Sequence, residues 1–587
     1  MAPDRRHGLI GTVEGVEEQP EGYPLPTNFY SPTPSASKHA LSALALTAGV
    51  RVGVHRDPVY AWALDPAPTR RVALVSGGGA GHEPMHAGFL GRGGLDAVAP
   101  GEVFTSPHNR QIHAASTEVA REGGVLHIVK NYTGDVLNFA IAAERLRGDG
   151  IEVDRVLVDD DLGSEGQEVG RRGTGATVVV EKILGAAADR GLTLAELVDL
   201  GQAVVASSRS LAVAQRACTT PGADRPAFDV EPGTLEYGVG IHGEAARESI
   251  PRPDLDDLVT RMVGELLDSL PATDAGVLVL VNGLGGTGDL ELLHVLAETA
   301  RTLSERGVAL RSAVAGTYVS ALDMAGFSIT LTAVGDEQWL DDWCAPHATT
   351  SLPAPVRAET TVTGAEAADA DGEPSPWLRG LADDIAEIRD ALNDLDRRAG
   401  DGDIGTNLDN ALRAAVRRGT GAQADLAADL LSLGTAFSED VGGSSGPLFG
   451  LVLTRIAARV ASDDAAAPAV AAARGLREGV EAITRAGGAR VGDRTMVDAL
   501  HPAGWDGESP RDTLDDAALA AALAGAVSTA EMVGKRGRSS YVGEKAVGTT
   551  DPGALAVVAV LISIVERIDG GTHREELRTR LAGHIRG

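Results

Sequence analysis

RRVALVSGGG, residues 70–79, is a short apolar run that stops at three glycines. A run of that length with no polar alternation reads as a strand buried on both faces. Its continuation, Ala80-Gly81-His82-Glu83-Pro84, puts a histidine and a carboxylate at the tip of a strand-to-helix turn. Glycines there let backbone N–H groups come close to a ligand. The loop is neither GxGxxG nor a Walker A sequence, since no GK[ST] follows it. A tight turn with no ligand would account for the glycines equally well.

The same unit recurs outward from this strand. VLHIVKNYTGD (125–135) and DRVLVDD (154–160) are apolar runs ending in polar loops, and AGVLVLVNGLGGTG (275–288) ends in another glycine loop. Helical stretches separate them, which argues an α/β fold with largely buried sheets. Roughly 340 residues of this pattern suggest two α/β subdomains. The pattern ends at PAPVRAETTVTGAEAADADGEPSP (353–376), which is rich in Ala, Thr, Pro and acidic residues and reads as a linker. Beyond it, Trp377, Leu378, Leu381, Ile385, Ile388, Leu392 and Leu395 fall at helical spacing, with Asp and Glu on the other face. Ala- and Leu-rich helical segments continue to the end, so an all-α domain of about eight helices is expected. The division is then 1–352, a linker at 353–376, and 377–587.

Composition narrows the partners. Fifty-two basic against 83 acidic residues give a formal charge of −31 over 587 residues. That surface repels nucleic-acid phosphates and anionic membranes, so neither is an expected partner. Any phosphate must be met locally, by metal ions, backbone N–H groups or a few placed cations. Cys218 and Cys344, the two cysteines, lie in no CxxC or Cys/His pattern, so neither a disulfide framework nor structural zinc is expected. The first residues lack the apolar core of a signal peptide, and no stretch has the length of a membrane span, so a cytoplasmic protein is the expectation.

Several loops could carry chemistry. Lys130-Asn131-Tyr132-Thr133-Gly134-Asp135 follows a strand, where ligands of open α/β sheets bind; its lysine and aspartate could hold hydroxyls and supply a general base, or form a surface ion pair. His242 lies between glycines in Gly238-Val239-Gly240-Ile241-His242-Gly243-Glu244, so its ring can be approached, although a lone histidine is commonly structural. Asp396, Asp401 and Asp403 bring three carboxylates within eight residues, a hard-oxygen set that suits Mg²⁺; the spacing is not that of an EF-hand. Gly442-Gly443-Ser444-Ser445-Gly446 opens a helix, a favourable phosphate position. The stretch from Gly487 to Met496, together with Arg538 and Asp551-Pro552-Gly553, adds further loops.

GGGAGHEP, KNYTGD, GIHGE, GDGDIGTN, GGSSG, GDRTM and YVGEKAVGTTDPGA occur in this order. Together they resemble the two-domain, ATP-dependent dihydroxyacetone kinase family over nearly the whole chain. The resemblance implies a ketose-binding domain at 1–352 and a helical-barrel nucleotide domain at 377–587. It implies that His242 forms a hemiaminal with the substrate carbonyl, that Asp135 takes the proton of the hydroxyl being phosphorylated, and that His82 supports it. Gly79, Ala80, Gly81, His82, Lys130 and Asp135 would line the ketose. Asp396, Asp401 and Asp403 would hold two Mg²⁺ ions against the phosphates of ATP. Ile404, Gly405, Thr406 and Asn407 would surround the nucleotide with Ser444, Ser445, Gly487, Met496, Arg538, Asp551, Pro552 and Gly553. A homodimer is implied in which one chain's nucleotide domain serves its partner's ketose site.

Three positions differ from the usual family pattern: Ala80 stands in place of serine, His108 where a small residue is usual, and Glu181 where histidine is frequent. They put the substrate between dihydroxyacetone and a four-carbon ketose such as erythrulose. A non-catalytic ketose-sensing coregulator and an FAD-splitting, cyclising lyase are the alternative readings.

Overall fold

The computed structural model describes residues 36–587 apart from 45, 47–50, 224, 245, 273, 359–374, 419, 422–423, 443–444, 464–465, 537–539, 541–542, 571–572 and 587. Of the linker read at 353–376, residues 359–374 therefore lie outside the described residues, as do Ser444 and Arg538. The chain divides into two compact units, Met1–Thr361 and Val362–Gly587.

The first unit holds two six-stranded sheets. β1 (Val52–Arg56), β2 (Val59–Ala63), β3 (Ala73–Ala80), β4 (Ala97–Val103), β5 (Val125–Lys130) and β6 (Val153–Val158) form the first, in the order β1-β2-β4-β3-β5-β6. β3 pairs parallel with both β4 and β5, and β5 parallel with β6, while β1 and β2 add an antiparallel edge. The second sheet comprises β7 (Ser208–Arg216), β8 (Thr234–Tyr237), β9 (Glu248–Pro251), β10 (Val277–Gly283), β11 (Leu310–Gly316) and β12 (Ala325–Ala333), ordered β11-β10-β12-β7-β8-β9. Only β10 and β11 run parallel there; the other pairs are antiparallel.

The helix Ala176–Asp189 is buried from Ala176 to Ala188 because it lies between the sheets. Val178, Val179, Ile183 and Leu184 share a core with Leu74, Leu126 and Val156 of the first sheet and Ala212, Leu278 and Leu280 of the second. Helices Asn109–Val119 and Thr133–Gly148 cover the outer face of the first sheet, and Leu255–Ser269 and Asp289–Glu305 that of the second. Both β3 and β10 are thus sandwiched, which is why they read as unbroken apolar runs.

The second unit is helical around one aliphatic core. Nine α-helices lie among its described residues, from Pro376–Ala399 to Glu575–Arg586, with one two-residue β-ladder at Trp505–Asp506 and Ser509–Pro510. Successive helices pack as neighbours, and Pro552–Ile568 returns against Pro376–Ala399 to close the ring. No helix among the described residues is long and apolar enough to cross a membrane.

Candidate active site

In the first unit, β3 ends in Gly77 to Ala80, and Gly81 then turns the chain at φ +100°, a conformation open to glycine. That turn carries His82 into the interior, where it is fully buried. His82 Nδ1–H donates to the carbonyl oxygen of Ser320 at 2.8 Å, so Nε2 carries the lone pair. Facing it at 2.9 Å is Nε2 of His242, which lies in the loop after β8. His242 Nδ1–H donates to Oε1 of Glu244 at 3.1 Å, and its backbone N–H donates to Oε2 at 2.8 Å. Burial alone would raise the Glu244 carboxyl; hydrogen bonds from His242 and the charges of His242 and Arg172 outweigh it and hold the group at about 2. Arg172 is fixed in turn by Asp161, 2.7 Å from its Nε. Burial, then the charges of Lys130 and His242, lower His82 well below the ordinary histidine value, which keeps it a neutral acceptor.

Aromatic rings fix the plane of this pair. Phe104 stacks on His82 at a centroid separation of 5.2 Å, and Phe104 and Tyr132 meet His242 edge-on at 5.3 and 4.6 Å. Lys130, the last residue of β5, and Asp135, in the first turn of Thr133–Gly148, are both buried. Lys130 Nζ, Tyr132 Oη and Asp135 Oδ1 have no hydrogen-bond partner among the described residues. A buried donor and a buried acceptor left in this state call for a polar ligand. Burial lowers the Lys130 amine, against the charges of Asp135 and Glu181. A Cβ on Gly78 would come within 2.7 Å of Lys130 Nζ, so glycine there is what leaves room for the amine.

Sequence reasoning missed part of this arrangement. Ser320 lies 238 residues from His82 and carries no local signal. His86 lies four residues past His82 in the same turn, and its Nδ1 lies 2.6 Å from Glu181 Oε1 and 3.1 Å from Ser76 Oγ. Glu181 is therefore the partner of a second buried histidine. Ala80, Glu83 and His86 line a cavity of about 20 Å³, enough for one water-sized group. His108 is committed elsewhere: it caps the helix Asn109–Val119 in a reciprocal pairing with Gln111.

In the second unit, Asp396, Asp401 and Asp403 offer carboxylate oxygens all within 4.8 Å of one another. Asp396 Oδ2 also accepts from the backbone N–H groups of Gly402, Asp403 and Ile404, fixing the loop that leads into Ile404–Arg418. Hard oxygens at that spacing fit a hydrated divalent cation such as Mg²⁺. They stand at the wall of a cavity of about 640 Å³, the size of a nucleotide. Ile404, Asn407, Ser445, Gly487, Met496, Asp551, Pro552 and Gly553 line the same cavity. Gly405 and Thr406 do not. A Cβ on Gly405 would strike the Arg389 carbonyl at 2.1 Å, and the Thr406 hydroxyl is paired with Asn393 at 2.9 Å, so both pack on the preceding helix. Asp551 caps Pro552–Ile568 by accepting from Ala554 N–H, and burial raises its carboxyl to about 6.

Comparison with known proteins places both halves. Residues 42–351 match the Dak1 domain and residues 398–566 the DAK2 domain. The chain belongs to the dihydroxyacetone kinase family. It is 38% identical to human triokinase/FMN cyclase over 84% of this chain and 91% of that protein. It is 34% identical to a D-erythrulose kinase of Mycolicibacterium smegmatis over 89% and 95%. The crystal structure of the dihydroxyacetone kinase of C. freundii, solved in native form and with AMP-PNP and Mg²⁺, matches at a TM-score of 0.56 and 30% identity, over 92% of this chain and 99% of that one.

Proposed function

We propose that the chain is an ATP-dependent kinase that phosphorylates a terminal hydroxyl of a small ketose, dihydroxyacetone or erythrulose, held covalently on His242. The observation that carries this reading is the chain of contacts from Ser320 through His82 and His242 to Glu244. Glu244 keeps a proton on Nδ1 of His242, which leaves Nε2 as the nucleophile once its proton has passed to His82. Nε2 then bonds to the ketose carbonyl carbon, and the proton on His82 moves to the carbonyl oxygen. The product is a hemiaminal whose ring charge is balanced by the Glu244 carboxylate. An alcohol carbon cannot react in this way, so glycerol is rejected by chemistry rather than by shape.

Lys130 donates to a substrate oxygen, and Asp135 accepts the proton of the hydroxyl that becomes phosphorylated. The reaction then depends on positioning and charge neutralisation. Two Mg²⁺ ions held by Asp396, Asp401 and Asp403 would supply positive charge against the phosphate oxygens of ATP. A ketose-sensing coregulator would have no use for three converging carboxylates beside a nucleotide-sized cavity. Residence in the cytoplasm, and a homodimer in which each nucleotide unit serves the partner's ketose site, belong to the same proposal.

Intact-mass spectrometry of the chain after exposure to dihydroxyacetone tests the central step. The wild type gains the ketose mass, and His242→Ala does not. His242→Ala also raises the ketose KM and narrows the preference over glycerol. An adduct that survives His242→Ala would refute the assignment.

A further inference from the structure

Arg494 lies in the loop between Pro468–Gly487 and Val497–Gly504, and its side chain is fully buried. Its NH2 group donates to the carbonyl oxygens of Ala546 at 3.0 Å and Thr549 at 2.9 Å, which uses both hydrogens of that nitrogen. Nε and NH1 have no hydrogen-bond partner among the described residues, leaving three N–H bonds uncommitted. Arg494 lines the large cavity of the second unit. A guanidinium does not shed its proton, so a buried one with idle donors requires an anion or another strong acceptor.

Among the described residues no such group lies within hydrogen-bonding reach. Asp551 attracts Arg494 through its charge, but its Oδ1 accepts from Ala554 N–H instead. The other described cation on the cavity wall, Arg536, is exposed and lies 3.9 Å from Asp493. The backbone points the same way. Arg494 has φ +60°, a left-handed conformation that is costly for a residue with a side chain and is kept where the surroundings enforce it. Buried Asp498 enforces it here, accepting from the backbone N–H of Gly492 at 2.5 Å and of Thr495 at 2.8 Å, one on each side of Arg494. Loop and guanidinium are thus fixed before any ligand arrives.

We infer that Arg494 grips the phosphate chain of a nucleoside di- or triphosphate, as a built-in cation apart from any charge the three aspartates recruit. The inference rests on the cavity being the nucleotide site and adds the residue that reads phosphate there. Arginine suits the task because its planar fork matches two phosphate oxygens.

Calorimetric titration of the full chain with Mg·ADP and, separately, with adenosine tests it. Arg494→Met should weaken Mg·ADP by about tenfold or more while adenosine stays within about twofold, since only the charge-assisted bonds are lost. Arg494→Lys keeps the charge and should fall between, raising the KM for Mg·ATP with the ketose KM unchanged. Equal losses for Mg·ADP and adenosine would mean that Arg494 merely supports the loop, and an unchanged Mg·ADP affinity would overturn the inference. Should Arg494→Met fail to fold, the ratio of the two losses in Arg494→Lys decides. A wild-type chain that binds no Mg·ADP would instead overturn the nucleotide reading of the cavity.

Discussion

His242 has two ring nitrogens, and each meets a partner with a distinct role. Glu244 faces Nδ1 and holds the tautomer, and His82 faces Nε2, where the proposed mechanism has it take the proton. Glu244→Gln preserves the size of the side chain and removes the charge. It should lower kcat/KM for the ketose by somewhere between about 10-fold and 10⁴-fold, the range found when a histidine loses its orienting carboxylate. A coupled ADP-release assay checks it, and a fall below tenfold would remove Glu244 from the mechanism. Glu181 has a different task, since it pairs with His86 where neither side chain meets solvent. Glu181→Ala leaves that histidine facing a void and should cost about 2–4 kcal/mol in a urea titration. Ala80→Ser should crowd the cavity of about 20 Å³ and lower kcat/KM for erythrulose relative to dihydroxyacetone. His82 and His242 are marked by the glycine loops that hold them and Asp135 by its place just after a strand, but only the order of the motifs along the chain singles them out together. Ser320 and the His86–Glu181 pair were not legible, because their meaning is a contact between distant segments.

At the scale of elements, β3, β5 and β10 were legible because burial on both faces removes polar alternation from the sequence. β1 and β2 are shorter and more exposed, and the antiparallel pairing that fills most of the second sheet leaves no mark that a single strand carries. The first helix after the linker was read at 377–395 from its apolar stripe; the element runs Pro376–Ala399, extended at its start by Pro376 in the first turn and Ser375 as cap. β5 carries a pH dependence. His127, at its centre, is enclosed beside Ser116 and Phe139, and burial lowers it from 6.5 to about 3. Between those values the unfolded chain binds a proton and the folded chain does not, so stability rises with pH and is lost as pH falls below 6.5. The slope from this group reaches about 1.4 kcal/mol per pH unit. Denaturant titrations from pH 7 to pH 4 should show it in the wild type, and His127→Gln should make the slope shallower by up to that amount, leaving the part that buried His82 contributes.

For the whole molecule, the decisive prediction concerns assembly. If each nucleotide unit serves the partner's ketose site, Asp135→Ala and Asp401→Ala chains are each inactive alone, yet a mixed dimer has one intact pair. An equal mixture, unfolded and refolded together, should recover roughly a quarter of wild-type activity, because half the dimers are mixed and each has one working site of two. A mixture as inactive as its parents would show that each chain works for itself. The two-unit division was legible because composition changes abruptly at residue 353.

The hydrogen bond from His82 to Ser320 spans 238 residues of chain. At about 5–20 residues per second, a ribosome needs roughly 12–48 s to make that stretch after His82 has been added. Throughout that interval the histidine lacks its acceptor, and the strands that will carry the second sheet are still being made. If the proposed capture on His242 holds, a growing chain cannot take up a ketose early, because the facing imidazole pair comes into being only when nearly the whole first unit has emerged.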